Sequence, residues 1–537
     1  MTTTDQTPEP ESLSPSSGAG IPPVALFQGY DTFTSSGRST AVSGDSMSAG
    51  AEAKTYYEVC YDVSSLRKAL DVSASASASF GFGSVDAKSR FIQSLNVTNT
   101  SVTIVVYTNV VSSSRALTNV RLAVDPPDDI DAFCRVYGDS YLGHVVTGAE
   151  YAAAYVFYSE SIEQQRVIEG TLNARGIGSG GSLSVSLQAS LSEVSKQVST
   201  RKTLKQFMSG FKHPDFPDAD GIIRKALTFG SQRPDDPAVI RYSVDGYERV
   251  PGMPAAFSSV VATRSLYNGI GAQNGLSDDY AQLHATSNSI AAIQTVHQTY
   301  RYTNDTALSQ RQATIREDIG LLDLLFSEMA AAPSRTYQRP PLEGLTFGDP
   351  SLNVVLRREG RWGSDTGQPF QQVDERSVSE SLVLSRFSAA GGSWVDRITF
   401  AYSTPQGTVA EYTQGGPRGV PSAIMVLQTQ ERVTEISGTF GGWVNSIAIG
   451  TSMGNSFRWP PTPEAVPGTF SWKEKPGETV FLGFAGRSGG ALDQLTIVTA
   501  TFQPARWAQP LRARQAVAAE SAAVLPDAPP SSPRLTA

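Results

Sequence analysis

From Leu345 to about Trp507 the chain alternates short apolar and polar runs with glycine-rich turns and holds no convincing helical stretch, so this segment can only fold as an all-β unit. The segment "AAAPSRTYQRPPLEG" at residues 330–344 precedes it and carries three prolines. Proline lacks the N–H that a helix interior or a central strand needs, so the main boundary falls here. Just upstream, residues 278–330 place apolar side chains at spacings of three and four, which predicts two helices closing a first module. The two ends of the chain are rich in Pro, Ser and Ala without periodicity and read as disordered tails. The expected organisation is therefore α+β: a tail over 1–24, a first module over 25–330, a linker over 331–344 crossed by few contacts, the all-β unit over 345–507, and a tail over 508–537.

The chain has 537 residues, 40% of them hydrophobic, enough for two to four cores. Only 18% are charged and the net charge is -8, which argues against a nucleic-acid partner held by phosphate contacts. Cys60 and Cys134 offer neither a disulfide framework nor metal-ligand spacing; they read as buried thiols, with a bridge between them as the alternative. The four histidines, His144, His213, His284 and His297, are scattered and form no metal-spaced pair. No Gly-x-Ser-x-Gly elbow or phosphate loop opens a helix, and "GIGSGG" at 176–181 reads as a hinge or hairpin loop. The expectation is a protein that is not an enzyme and uses no cofactor or metal. The opening residues lack the basic and apolar regions of a signal peptide, so the chain is expected to be soluble in the producing cell, released without such a signal and then active at a target membrane.

Within the first module three runs alternate with period two. In "VSASASASFGFG" Val72, Ala74, Ala76, Ala78 and Phe80 share one face and serines the other. In "TSVTIVVYTNV" Val102, Ile104 and Val106 share a face, with Val105 as the exception, and in "GSLSVSLQASL" Leu183, Val185, Leu187 and Leu191 do. Such runs fit half of a water-soluble sheet. Their polar faces, however, are nearly uncharged, their length suits a tilted membrane strand, and helical stretches lie beside them. These three runs are the candidate membrane-facing strands, stored as helix and short strand until subunits assemble.

Between the candidate insertion segments, "FCRVYGDSYLGHVVTGAEYAAAYVFYS" resembles the signature of the membrane-attack-complex/perforin family, a Tyr-Gly-Thr-His-aromatic run followed after six residues by Gly-Gly. Tyr137, Gly138, Tyr141 and Gly148 match, while Asp139, Ser140 and Ala149 depart. The resemblance implies a bent, twisted antiparallel sheet flanked by helical insertion segments, with Gly148 as a hinge. The glycines themselves admit a bent strand or an ordinary tight turn.

In the all-β unit, "EGRWGSDTGQPF", "WVDRITFAYSTPQGTVAEYTQGGPRG", "ERVTEISGTFGGWVNSIAIGTSMG" and "VFLGFAGRSGGALDQL" resemble, in order, the strands and loops of jacalin-like lectins. The resemblance implies a three-sheeted β-prism whose sugar-binding loop is "GGALD": Asp493 accepts from sugar hydroxyls, and the backbone of Gly489, Gly490, Ala491 and Leu492 shapes the cup. Gly363 supports it from the first glycine-rich loop. Ser364 stands where many members have glycine, and no aromatic wall flanks Gly490 and Ala491. On its own, "GGALD" also fits an Asx-capped turn, and the loop around Gly415 and Gly416 is the alternative site. Together the resemblances imply a carbohydrate-targeted pore-forming toxin, monomeric in solution. Its expected partners are surface glycans or glycolipids, a lipid membrane and copies of itself in a ring. The alternative is a non-lytic lectin whose first module is a scaffold.

Overall fold

The computed structural model describes residues 11–13, 25–34, 36–70, 72, 87–98, 101–159, 162–178, 180–197, 201–269, 275–374, 377–378, 381–404, 407, 409–428 and 430–507. Among them, nine strands form the sheet of the first module: β1 (Glu11–Leu13), β2 (Gly29–Asp31), β3 (Ser36–Arg38), β4 (Val42–Ser48), β5 (Thr55–Cys60), β6 (Val102–Leu122), β7 (Ser140–Tyr158), β8 (Arg201–Ser209) and β9 (Ala238–Gly246). β5, β6, β7 and β8 run antiparallel as neighbours. β1 lies in the segment read as a tail, yet it pairs in parallel with β8, because the outer edge of β8 offers unpaired backbone groups to any extended chain.

Helices cover both faces of this sheet. On one side lie α1 (Val63–Ala69) and α2 (Ala87–Ser94), and on the other α4 (Ile162–Ala174), α5 (Val185–Gln197) and α6 (Ile222–Phe229), while α3 (Ile130–Tyr137) leads into β7. Two expectations change accordingly. Val102, Ile104 and Val106 do form a strand, but they are fully buried against Ile168, Leu172 and Leu191 and face protein, not lipid. The opposite face of β6 is not watery either. Val105 and Tyr107 pack on Leu66 and Phe91, and the Tyr107 hydroxyl donates to Glu150 Oε2 at 2.9 Å. Glu150 is also paired with Lys88 of α2 at 2.7 Å.

The third run is not a strand here. Leu187, Leu191 and Val194 recur at spacings of four and three and are buried in the helix α5, while Val185 is 78% exposed and Leu183 lies half-buried just before the helix. The leucines satisfy both periods, and the helix is adopted because it lays them on the sheet while needing no strand partner. Val72 is half-buried outside any strand, packed on the α1–α2 cluster. Ala74, Ala76, Ala78 and Phe80 lie outside the described residues.

After α7 (Ser258–Asn268), the long helices α8 (Leu276–Thr299) and α9 (Thr306–Ala331) pair with each other, as the 278–330 pattern predicts. The all-β unit then forms three sheets around one core. The first holds β10 (Pro350–Gly363), β11 (Gln368–Gln371), β21 (Thr479–Ser488) and β22 (Leu492–Trp507). The second holds β12 (Val383–Gly391), β13 (Val395–Ser403), β14 (Val409–Gly415), β15 (Val420–Pro421) and β16 (Met425–Val426). The third holds β17 (Val433–Phe440), β18 (Val444–Thr451), β19 (Ser456–Trp459) and β20 (Gly468–Lys473).

The two modules are not separated by a bare linker. Val296, Tyr300 and Tyr302 from the end of α8 join the core of the β-rich unit. The Tyr300 hydroxyl donates to Leu382 O at 2.8 Å, and Ala505 N donates to Asp305 Oδ2 at 2.6 Å. Arg311 of α9 lies over the rings of Phe347 and Trp507. The expectation of few crossing contacts is corrected: proline ended the helix, but the helical hairpin still had an apolar end to bury.

Candidate functional site

β21 and β22 meet at the turn 489–493, closed by Gly489 N donating to Ala491 O at 3.0 Å. Leu492 and Ala491 are buried, a Cβ on Gly490 would meet nothing within 4 Å, and Asp493 is 6% exposed. The first glycine-rich loop folds against this turn because β10 pairs with β22 and β11 with β21. Gly363 sits under the Asp493 backbone: at φ +119° a Cβ there would stand 2.1 Å from Asp493 O, so no side chain fits. Ser364 N donates to the same oxygen at 2.9 Å. The structure thus brings Gly363, Gly489, Gly490, Ala491, Leu492 and Asp493 together, with Gly363 as a seat.

Four neighbours complete the cup, and sequence reading passed over them. Thr366 Oγ1 donates to Asp493 Oδ1 at 2.8 Å. Gly367, at φ +75°, lies so close to Asp493 Oδ2 that a Cβ would come within 2.4 Å of it. Arg487 pins this loop by donating to Thr366 O and Gly367 O at 3.1 and 2.9 Å. Gln494 Nε2 donates to Asp365 Oδ1 at 2.9 Å, which together with Arg361 holds the Asp365 carboxyl below the usual carboxylate range. Only the second glycine of "GSDTG", four residues after the first, could have signalled the closure. Asp493 Oδ2 is buried without a hydrogen-bond partner among the described residues. A carboxylate oxygen left in that state is an acceptor waiting for a donor.

In the first module, Tyr137 ends α3 and Gly138 caps it at φ +80°, its hydrogen facing Tyr30 O where a Cβ would come within 2.2 Å. Tyr141 is buried, its ring 5.4 Å from that of Tyr247. Gly148 stands at the register shift between Val111 and Ser113, and a Cβ there would meet Val110 O at 1.9 Å. Close approach of two long strands, rather than positive φ, demands that glycine. Asp139, which sequence reading treated only as a departure, centres a buried network. It accepts from Thr32 N and Thr32 Oγ1 at 2.7 and 2.8 Å and pairs with Arg264 at 3.4 Å. Burial and then the neighbouring Asp31 raise its pKa. Cys60 and Cys134 are buried free thiols, and burial pushes the Cys60 thiol up to about 12. Among the described residues no group of His, Cys, Asp or Glu could hold a metal ion, and no helix is long and apolar enough to cross a membrane.

Residues 359–498 match the family model of the jacalin-like lectin domain. Myrosinase-binding protein 2 of Arabidopsis thaliana is 31% identical over 145 residues, which are 27% of this chain and 21% of that protein. The chain thus spans about a fifth of that relative's length. Among solved structures, a mannose-binding jacalin-related lectin from Ananas comosus is 21% identical, with 27% of this chain and 99% of that chain covered and a TM-score of 0.23. The Calystegia sepium agglutinin is 24% identical, with 27% and 96% covered and a TM-score of 0.22.

Proposed function

We propose that the chain docks on surface glycans through its jacalin-like domain. The observation that carries this reading is Asp493: one oxygen is held by Thr366, the other lacks a donor, and Gly363 and Gly367 pack against it too closely for any side chain. A sugar hydroxyl supplies a donor of the kind such a carboxylate takes, and hydrogen bonds to a charged acceptor contribute about 1.5–3 kcal/mol. The Thr366 hydroxyl occupies one acceptor position that a sugar would use, so docking at this cup displaces it.

One observation favours a second step, insertion into the membrane. Cys60 pairs with Thr103, Val102 with Phe157 and Tyr158 with Arg201, so β5, β6, β7 and β8 all end at one level of the sheet. From that level leave the two connections that hold the serine- and alanine-rich runs, residues 61–101 and 159–200. Extending each as a hairpin would prolong four adjacent strands in register, and closing them into a ring would remove the edges. This supports the perforin-like reading, in which the protein leaves its cell of origin, gathers on a glycan-bearing membrane and oligomerises there. Dye leakage from liposomes with and without glycolipid, read beside a glycan array, tests both steps. Glycan binding without leakage at any surface density leaves the lectin with an inert scaffold, and absence of glycan binding removes the first step.

A further inference from the structure

All six tryptophans of the chain lie in the β-rich unit, and two of them stand together beyond the strand ends. Trp394 sits in the turn from β12 to β13 and Trp443 in the turn from β17 to β18, each just before the chain re-enters a strand at Val395 and Val444. Their ring centroids are 5.3 Å apart. Trp394 Nε1 donates to Asp396 Oδ1 at 3.0 Å, which holds its indole in place, and Trp443 is 44% exposed. Contacts carry this pair to the end of the prism that holds Asp493. A Cβ on Gly416 would meet Gly490 O at 2.2 Å, one on Gly415 would meet Asp396 O at 2.1 Å, and Asp396 holds Trp394. The same rim continues through Val420, which is 66% exposed and pairs with Gly391, and through the exposed Pro417. Arg418, between Pro417 and Val420, is exposed as well. An apolar rim with a cation set in it thus lies beside the sugar cup, and an exposed apolar patch edged by polar groups marks an interaction surface.

We propose that this rim touches the lipid of the target membrane while Asp493 holds the sugar of a glycolipid whose headgroup is a single hexose. This rests on the glycan-docking reading and deepens it, by naming the form in which the glycan is presented. Indole is apolar over its rings and polar at its N–H, which suits the headgroup layer, where tryptophan gathers in membrane proteins. The Arg418 guanidinium beside it suits the lipid phosphates. A hexose is no larger than an indole, so a sugar joined directly to its lipid brings the headgroup layer level with the rim. A long glycan carried on a protein would instead hold the rim in water. Sugar and lipid contacts then belong to one surface, and once the first is made the second follows as an intramolecular step, so that the two together bind more tightly than either alone.

The test uses the full chain and the double variant Trp443→Ser/Val420→Ser, whose side chains are exposed, with a cooperative melt as the check on folding. The methyl α-glycosides of mannose, glucose and galactose are titrated by calorimetry, and binding to phosphatidylcholine vesicles carrying a mannosyl, glucosyl or galactosyl lipid is measured by flotation. The double variant should bind the free glycoside as the wild type does and bind the vesicles at least about tenfold more weakly. Phosphatidylcholine brominated on its acyl chains should quench the fluorescence of bound wild-type chain and quench the variant far less. The first module has no tryptophan, so insertion of its hairpins cannot supply that signal. Equal vesicle affinity in the two chains, or unquenched fluorescence from bound wild type, would overturn the lipid contact and leave the docking reading intact. Loss of free-glycoside affinity in step with vesicle affinity would also overturn it, by placing Trp443 against sugar. A wild-type chain that binds neither glycoside nor glycolipid removes the docking reading itself, and the lipid contact with it.

Discussion

Val185→Arg separates the helix seen in the folded chain from the strand proposed in the membrane. Val185 opens α5 with 78% of its surface exposed, so arginine there displaces no core contact. The folded-state cost is that of a cation in a helix's first turn, about 0.3–1 kcal/mol. On the proposed hairpin, Val185 shares the lipid face with Leu183 and Leu187, and arginine on that face costs about 2–4 kcal/mol at the bilayer midplane. At about 1.4 kcal/mol per factor of ten this is roughly a 30- to 700-fold penalty in every subunit of a ring. Leu187→Arg could not make the distinction, because Leu187 is already buried in the folded chain.

Ser186→Arg is the matched control. Ser186 is also exposed in α5, yet on a strand it points opposite to Val185, into the lumen. Dye leakage from glycolipid liposomes should collapse for Val185→Arg and persist for Ser186→Arg, with glycan binding unchanged and the melting temperature lowered by the same few degrees or less in both. Equal leakage from the two variants, both lytic or both silent, would refute the reasoning that this segment crosses the bilayer as a strand.

Thr366→Gly frees Asp493 Oδ1 from its internal donor, and sugar affinity at that cup should rise by up to about fivefold in calorimetry, the factor carried by a hydrogen bond of about 1 kcal/mol. His297, packed against Tyr302 and Phe502 at the junction of the modules, has its pKa lowered by burial. The folded chain then binds fewer protons than the unfolded one below about pH 6.5, so stability should fall as pH drops through that window, and His297→Phe should flatten the slope of melting temperature against pH. Cleaving near Pro340 and removing the first module strips Val296, Tyr300 and Tyr302 from the prism core, so fragment 345–507 should melt well below the prism of the intact chain; equal melting would show that the junction is not structural. Glu150→Gln removes the carboxylate that pairs with the buried Lys88 ammonium at 2.7 Å and should cost about 3–5 kcal/mol in urea unfolding.

The β-rich unit was legible because many of its strands alternate and most of its turns are marked by glycine, signals that need no tertiary partner. "GGALD" was legible for the same reason, but the Thr366–Gly367 closure was not, since it depends on β10 and β11 bringing a loop from over a hundred residues away. The loop of Gly415 and Gly416 stood out, yet its approach to Asp396 exists only once β13 and β14 are side by side. In the first module, period two correctly marked β6 as a strand and misassigned its surroundings. Alternation tells which residues share a face, but not whether helices or lipid cover it. For α5 the period itself was ambiguous, because Leu187 and Leu191 lie four apart, a spacing common to strand and helix.

That ambiguity bears on what drives any conversion. α5 buries Leu187, Leu191 and Val194 and keeps its serines half-buried or exposed, so releasing it costs on the order of 5–9 kcal/mol, taken as about 1.5–3 kcal/mol for each of three apolar side chains. Glycan binding at the prism touches neither α5 nor the sheet under it, and a ligand shifts an equilibrium only through different affinity for its two states. Sugar alone therefore cannot release the segment. The compensating energy has to come from burying the same side chains in lipid and from pairing strand edges between subunits, both of which rise with surface density. Leakage should thus depend steeply on the density of bound protein and weakly on sugar affinity once the surface is filled. Free sugar in solution, at saturation, should leave the backbone amides of α5 as protected from hydrogen exchange as they are without it. Loss of that protection on adding free sugar would show that the prism signals directly to the sheet, through the α8–α9 junction, and would replace crowding as the trigger.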